Sequence, residues 1–210
     1  AVLENLPPDG EVIDEAIEIL NETDEPFFIW IHLLDTHRPY GRGENGVSRN
    51  LDRKSELSKP GGIISPTLSN KEKQEIESKY IQVLERSDKE INRFVDYLND
   101  AIFIFTSDHG EELGEEGYYY HQGRRRRVPE RITNVPIAAK GLELPDSMVS
   151  HFDIAPTILG QLGIEIPAPW VGLDLTTERR HEAVTIAPWE NKATLRITGR
   201  KSSIIVKDCN

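Results

Sequence analysis

Residues 101–117 read AIFIFTSDHGEELGEEG. Five apolar residues, Ala101 to Phe105, run without alternation into Thr106, Ser107, Asp108, His109 and Gly110. A short unbroken apolar run closed by polar residues and glycine reads as a strand buried on both faces, as in parallel sheets. Ligands of open α/β sheets sit beyond the carboxyl ends of the strands, where Asp108 and His109 fall. A carboxylate is a hard oxygen ligand and an imidazole a borderline nitrogen ligand, so the pair suits a divalent cation. Gly110 lets the chain turn and approach a ligand closely. The plainer alternative is a turn and helix cap, with Asp108 satisfying free N–H groups.

Upstream, residues 71–98 carry Ile76, Tyr80, Val83, Leu84, Ile91, Phe94, Val95 and Leu98 on one face at a three-to-four residue period. That spacing predicts a long amphipathic helix feeding directly into the 101–105 strand. Residues 27–34, FFIWIHLL, are a second apolar run after Pro26, read as another buried strand, with His32 a core or strand-end residue. Before it, residues 11–20 show a helical stripe with Asp9 or Gly10 as cap. Helix, strand, helix, strand is the alternation of a mostly parallel sheet flanked by helices.

The 27–34 run empties into Asp35-Thr36-His37-Arg38-Pro39-Tyr40. An imidazole and a guanidinium at a strand end can both donate to an oxyanion; as a plain loop, Asp35 caps and Pro39 turns. Residues 41–69, rich in Gly, Ser, Asn, Lys and Arg, read as a long surface loop. After Gly117, His121 returns the chain toward Asp108 and His109, and Arg124 to Arg127 form an unbroken basic run. Residues 134–141 read as a third short strand. A helix follows from a cap at Asp153, with Pro156 in its first turn and Gly163 ending it; His151 and Asp153 are read in cap and contact roles. Beyond a Pro- and Gly-marked linker, residues 183–187, 194–198 and 203–207 are short β-rich runs, expected to form a small antiparallel subdomain. The expected division is an α/β domain over 1–166 and a linker with this subdomain over 167–210.

With 210 residues, 37% hydrophobic and 29% charged, the sequence suits a globular fold with a proper core. The net charge of −11 argues against a nucleic-acid binder and against attraction to anionic membranes. Cys209 is the single cysteine, so no intrachain disulfide forms. No signal peptide or membrane-spanning segment is read, and the expected location is cytoplasmic.

Several of these stretches stand in one order: PFFIWIHLLDTHRPY (26–40), DKEINRFVDYL (88–98), FTSDHGEELGEEG (105–117), NVPIAAKG (134–141), VSHFDIAPTILGQLGIEIP (149–167) and VGLDL (171–175). In that order they resemble the sulfatase family of the alkaline phosphatase superfamily. The resemblance implies that Asp108 and His109 ligate a divalent metal, calcium foremost, with manganese or magnesium as alternatives. It implies that His37 contacts the sulfate ester and that His121 helps the leaving group depart. The substrate it implies is an anionic sulfate or phosphate ester, cleaved through a formylglycine nucleophile. Neither the C/S-x-P-S/A-R element that yields formylglycine nor the upstream Asp-Asp metal pair is in these residues, and Cys209, followed only by Asn210, is not that cysteine. The sequence looks like the C-terminal part of a sulfatase, expected to be inactive alone and to pair with an N-terminal part or with a second copy. Two alternatives accompany this reading: a phosphoryl or phosphoglycerol transferase of the same superfamily, and a non-catalytic binding domain keeping half a metal site.

Overall fold

The computed structural model describes residues 6–41, 46–57, 67–121, 128–189 and 192–209. They fall into two compact units, one of Ala1–Asn99 with Glu111–Gln122, the other of Asp100–Gly110 with Gly123–Asn210. Residues 167–210 belong to the second unit together with β-strand and helix residues before 166. The arginine run 124–127 lies outside the described residues. Among the described residues no helix is long and apolar enough to cross a membrane.

The first unit is helical. Helix α1, Asp9–Glu22, turns Ile13 and Ala16 inward and lies along α3, Asn70–Tyr97. The long helix starts on a capping box, in which Ser69 accepts from the Glu72 N–H and Glu72 reaches back to the Ser69 N–H. Ile76, Val83, Ser87 and Phe94 are its buried stripe. Ser87 is the polar member, and its use is specific. Its hydroxyl donates to Asp9 Oδ2 at 2.5 Å, while Asp9 Oδ1 accepts from the N–H groups of Leu34 and Asp35 at 3.0 and 3.1 Å. Asp9 is therefore not the cap of α1 but its first residue, following Pro8, and it fastens the helix to the chain just before His37.

Two expectations fail in this unit. Residues 41–69 are not all loop, because Arg49–Leu57 form helix α2, which buries Leu51 and Ser55. Its few apolar residues hid the period; the helix is held by Leu51 in the core and by polar contacts instead. Among the described residues, 27–34 join no ladder. Phe28 and Trp30 are each 85% exposed, and His32 is an exposed residue stacked on Trp30, not part of a core. An apolar run becomes a buried strand only where neighbours cover both its faces; here Ile29, Ile31, Leu33 and Leu34 are half-buried while Phe28, Trp30 and His32 are exposed. The core of the unit gathers instead around Tyr40, Val47, Leu51, Leu68, Ile76, Val83, Tyr119 and Tyr120.

In the second unit, β1 (Phe103–Thr106) pairs with β2 (Ile137–Lys140), Phe103 opposite Lys140 and Thr106 opposite Ile137. The pairing is antiparallel, and no parallel pair occurs among the described strands, so the mostly parallel sheet is not what they form. A short helix α4, Glu130–Thr133, precedes β2. Helix α5, His151–Gln161, is capped by Ser150 with Asp153 completing the box. It closes as expected at Gly163 (φ 66°): Ile164 N–H bonds the Leu159 carbonyl and Gly163 N–H that of Gly160. Pro156 stands inside α5 rather than in its first turn. The missing N–H frees the Phe152 carbonyl, and the backbone of Gly172 packs there, so closely that a Cβ on Gly172 would lie 1.8 Å from that oxygen.

The expected C-terminal antiparallel sheet is present. Strands β3 (Glu182–Trp189), β4 (Lys192–Gly199) and β5 (Ser203–Cys209) pair in sequence order. Arg196 of β4 is buried, with its guanidinium donating to the Val128 carbonyl at 3.1 Å, to Ser203 and to Glu130.

Candidate active-site residues

The end of β1 places Asp108 and His109 on a loop fixed by its own polar groups. Thr106 Oγ1 donates to the Pro136 carbonyl at 2.9 Å and meets His151 Nε2 at 3.3 Å. Ser107 Oγ donates to the His109 carbonyl at 2.6 Å. Gly110 N–H bonds the Ile132 carbonyl at 2.9 Å. A Cβ on Gly110 would overlap the Arg131 carbonyl, so close backbone approach, rather than a left-handed turn, is what requires glycine there.

His109 Nδ1 lies 2.9 Å from the Gly110 carbonyl, which can only accept, so Nδ1 carries the proton and Nε2 of the neutral ring keeps its lone pair. This is the outer-shell arrangement that orients metal-binding histidines. Nε2 is 3.7 Å from Asp108 Oδ2, and the Asp108 side chain is 73% exposed. Its other oxygen, Oδ1, accepts from the His109 N–H. A carboxylate oxygen and an imidazole lone pair at that separation fit two ligands of one divalent cation in kind and spacing. In number they fall short of a cage, and among the described residues no group of three or more His, Cys, Asp or Glu side chains gathers for a metal.

In the first unit, His37 and His121 are brought together, their ring centroids 5.2 Å apart in an edge contact. His37 sits in a turn in which its N–H bonds the Leu34 carbonyl and its carbonyl accepts from Tyr40. Its Nδ1 is 2.7 Å from the Arg38 carbonyl, so it too is protonated at Nδ1. His121 ends a loop closed on itself: Gly114 N–H bonds the Tyr118 carbonyl and Tyr120 N–H that of Glu112.

Three neighbours of the histidines escaped the sequence reading. Tyr40 and Tyr120 are both in the left-handed region (φ 57° and 66°), a conformation that costs an aromatic residue about 1–3 kcal/mol. Both rings are buried and lie 5.7 Å apart, so packing holds the backbone that presents His37 and His121. The third is α2. Its Ser55 hydroxyl meets the Tyr120 hydroxyl at 2.5 Å, and its Glu56 pairs with Arg38 at 3.2 Å, while the Arg38 guanidinium lies over the Tyr120 ring. Burial raises the Tyr120 pKa above the ordinary phenol value. Positive φ at a non-glycine residue leaves no mark in one sequence, and Tyr40 and Tyr120 read there as ordinary aromatics.

The sequence model of the sulfatase family matches residues 5–164. The chain belongs to the sulfatase family. It is 27% identical over 201 residues to an arylsulfatase of Clostridium perfringens, covering 82% of this chain and 42% of that protein. It is 29% identical over 123 residues to an N-acetylglucosamine-6-O-sulfatase of Bacteroides thetaiotaomicron, 54% of this chain and 22% of that protein. A phosphoethanolamine transferase of Helicobacter pylori is 27% identical over 135 residues, 62% of this chain and 25% of that protein. The chain thus spans less than half the length of these curated relatives. Sulfatase membership carries with it an α/β fold and places the chain in a family of hydrolases.

Proposed function

We propose that this chain is part of a sulfuric ester hydrolase in which His37 and His121 contact the ester and Asp108 and His109 hold a divalent metal. The observation that carries the reading is the meeting of His37 and His121, far apart in sequence, within the matched region. A bound divalent ion would supply positive charge to the ester oxygens. His37, with its Nδ1–H held by the Arg38 carbonyl, donates from Nε2 to an ester oxygen in its imidazolium form, and His121 in the same form donates a proton to the departing oxygen. The remaining metal ligands and the formylglycine nucleophile belong to polypeptide beyond these 210 residues, supplied in the same chain or by a paired one.

The phosphoethanolamine transferase among the relatives favours a second reading, phosphoryl transfer on the same framework. One experiment separates them. The natural polypeptide containing these residues is assayed on an aryl sulfate and on a phosphodiester, beside His37→Ala and His121→Ala. Sulfate hydrolysis is expected, with each substitution lowering kcat by roughly 10²–10⁴. Phosphodiester turnover without sulfate turnover supports the transferase. Full activity in both variants overturns the site, and aryl sulfate hydrolysis by the 210 residues alone, lost in Asp108→Ala, overturns their incompleteness.

A further inference from the structure

The side chain of Glu111 is 7% exposed, and a buried carboxylate is costly unless donors meet it. Among the described residues its Oε1 makes no hydrogen bond of ordinary geometry, and three polar groups are its electrostatic neighbours. The Tyr40 pKa is raised far above the phenol range, chiefly by burial and then by the Glu111 charge, so its hydroxyl keeps its proton and remains a donor. The Tyr80 hydroxyl is raised by burial too, with the same carboxylate adding to it. The third is His121, whose Nδ1 lies 3.4 Å from Glu111 Oε1. An unprotonated Nδ1 would set its lone pair against a carboxylate withdrawn from water. A protonated one places a donor beside it. The separation is longer than an ordinary N–H···O hydrogen bond, as often holds in active sites before substrate binds.

We propose that Glu111 is a positioning residue that holds His121 in its Nδ1–H tautomer, leaving Nε2 as the nitrogen that works on the ester. His37 reaches the same state by another acceptor, the Arg38 carbonyl 2.7 Å from its Nδ1. Two imidazoles in edge contact are thereby set alike, one by a main-chain oxygen and one by a buried carboxylate. The catalytic consequence rests on the reading of His121 given above; the tautomer itself does not.

The test uses the full 210-residue chain labelled with ¹⁵N at histidine. Two-bond ¹H–¹⁵N correlation spectra are recorded at about pH 8, where an ordinary imidazole is neutral. His121 is expected as the Nδ1–H tautomer in the native chain. Glu111→Ala is expected to move it to a mixture or to the Nε2–H form while His37 stays unchanged, and Glu111→Gln, whose amide oxygen still accepts, to retain Nδ1–H. An Nε2–H tautomer in the native chain overturns the proposal, as does an unchanged His121 in a folded Glu111→Ala chain. Should Glu111→Ala fail to fold, the native spectrum together with Glu111→Gln decides: Nδ1–H in both supports the assignment, and Nε2–H in either sinks it. Turnover plays no part in this readout, so its failure is distinct from a failure of the ester-cleaving reading.

Discussion

Asp153 has no exposed side-chain surface and is nevertheless charged. Burial pushes its pKa up, but the Arg180 guanidinium and the N–H groups of Leu173 and Ser150 outweigh it and hold the carboxyl below the usual range. Arg180 grips both oxygens at 2.6 Å. Removing one partner of such a pair leaves the other charge uncompensated, so Asp153→Ala is expected to cost about 3–5 kcal/mol in urea unfolding at neutral pH. The pH dependence has a definite sign. A depressed folded-state pKa contributes stability above the unfolded value of about 3.9, and that contribution is lost as the pH falls through the folded-state pKa. The gap between native chain and Asp153→Asn should therefore narrow on acidification below about pH 4. A gap independent of pH would show that the carboxylate is not the source. In the sequence Asp153 was legible as part of a helix start. Its partner was not, because Arg180 lies across a linker and nothing local ties the two.

Element by element, the sequence was most legible where one face alternates with solvent. The α3 stripe follows that pattern; the three C-terminal strands were legible instead as β-rich runs between turn signals, although Val184, Ile186, Ile204, Ile205 and Val206 stand exposed on them. Helix α2 was illegible because its hold on the core is polar: Ser55 on Tyr120, Asp52 and Glu56 on Arg38. The junction of α5 with the 171–175 stretch was illegible for a different reason, since Pro156 looked like a first-turn proline until Ser150 proved to be the cap. The backbone of Gly172 occupies the space beside the Phe152 carbonyl that this proline leaves without a donor. Gly172→Ala brings a methyl against a main-chain oxygen that no rotamer change can relieve. It is expected to lower stability by about 1–3 kcal/mol, read as a drop in the denaturation midpoint at unchanged slope. An unchanged midpoint would mean that α5 and the 171–175 stretch can separate at no cost.

Of the candidate site, the residues were legible and their support was not: a strand end rich in Asp and His can be read from order alone, whereas the buried tyrosines and the carboxylate behind His121 exist only once the chain is folded. At the scale of the molecule the same limit governs residues 27–34. Their composition predicts a buried strand, yet Phe28 and Trp30 stand 85% exposed. Exposed aromatic side chains contribute almost nothing to the stability of the chain that bears them, and they favour association. The Phe28→Ser, Trp30→Ser double variant of the 210-residue chain is therefore expected to change unfolding free energy by no more than about 0.5 kcal/mol, while light scattering shows less self-association than in the native chain. In a polypeptide as long as the curated relatives, with further strands to cover the run, the same pair would remove two buried aromatics and cost several kcal/mol. A large destabilisation already present in the 210 residues would mean that the run is packed within this chain, and the case for covering polypeptide would fall with it.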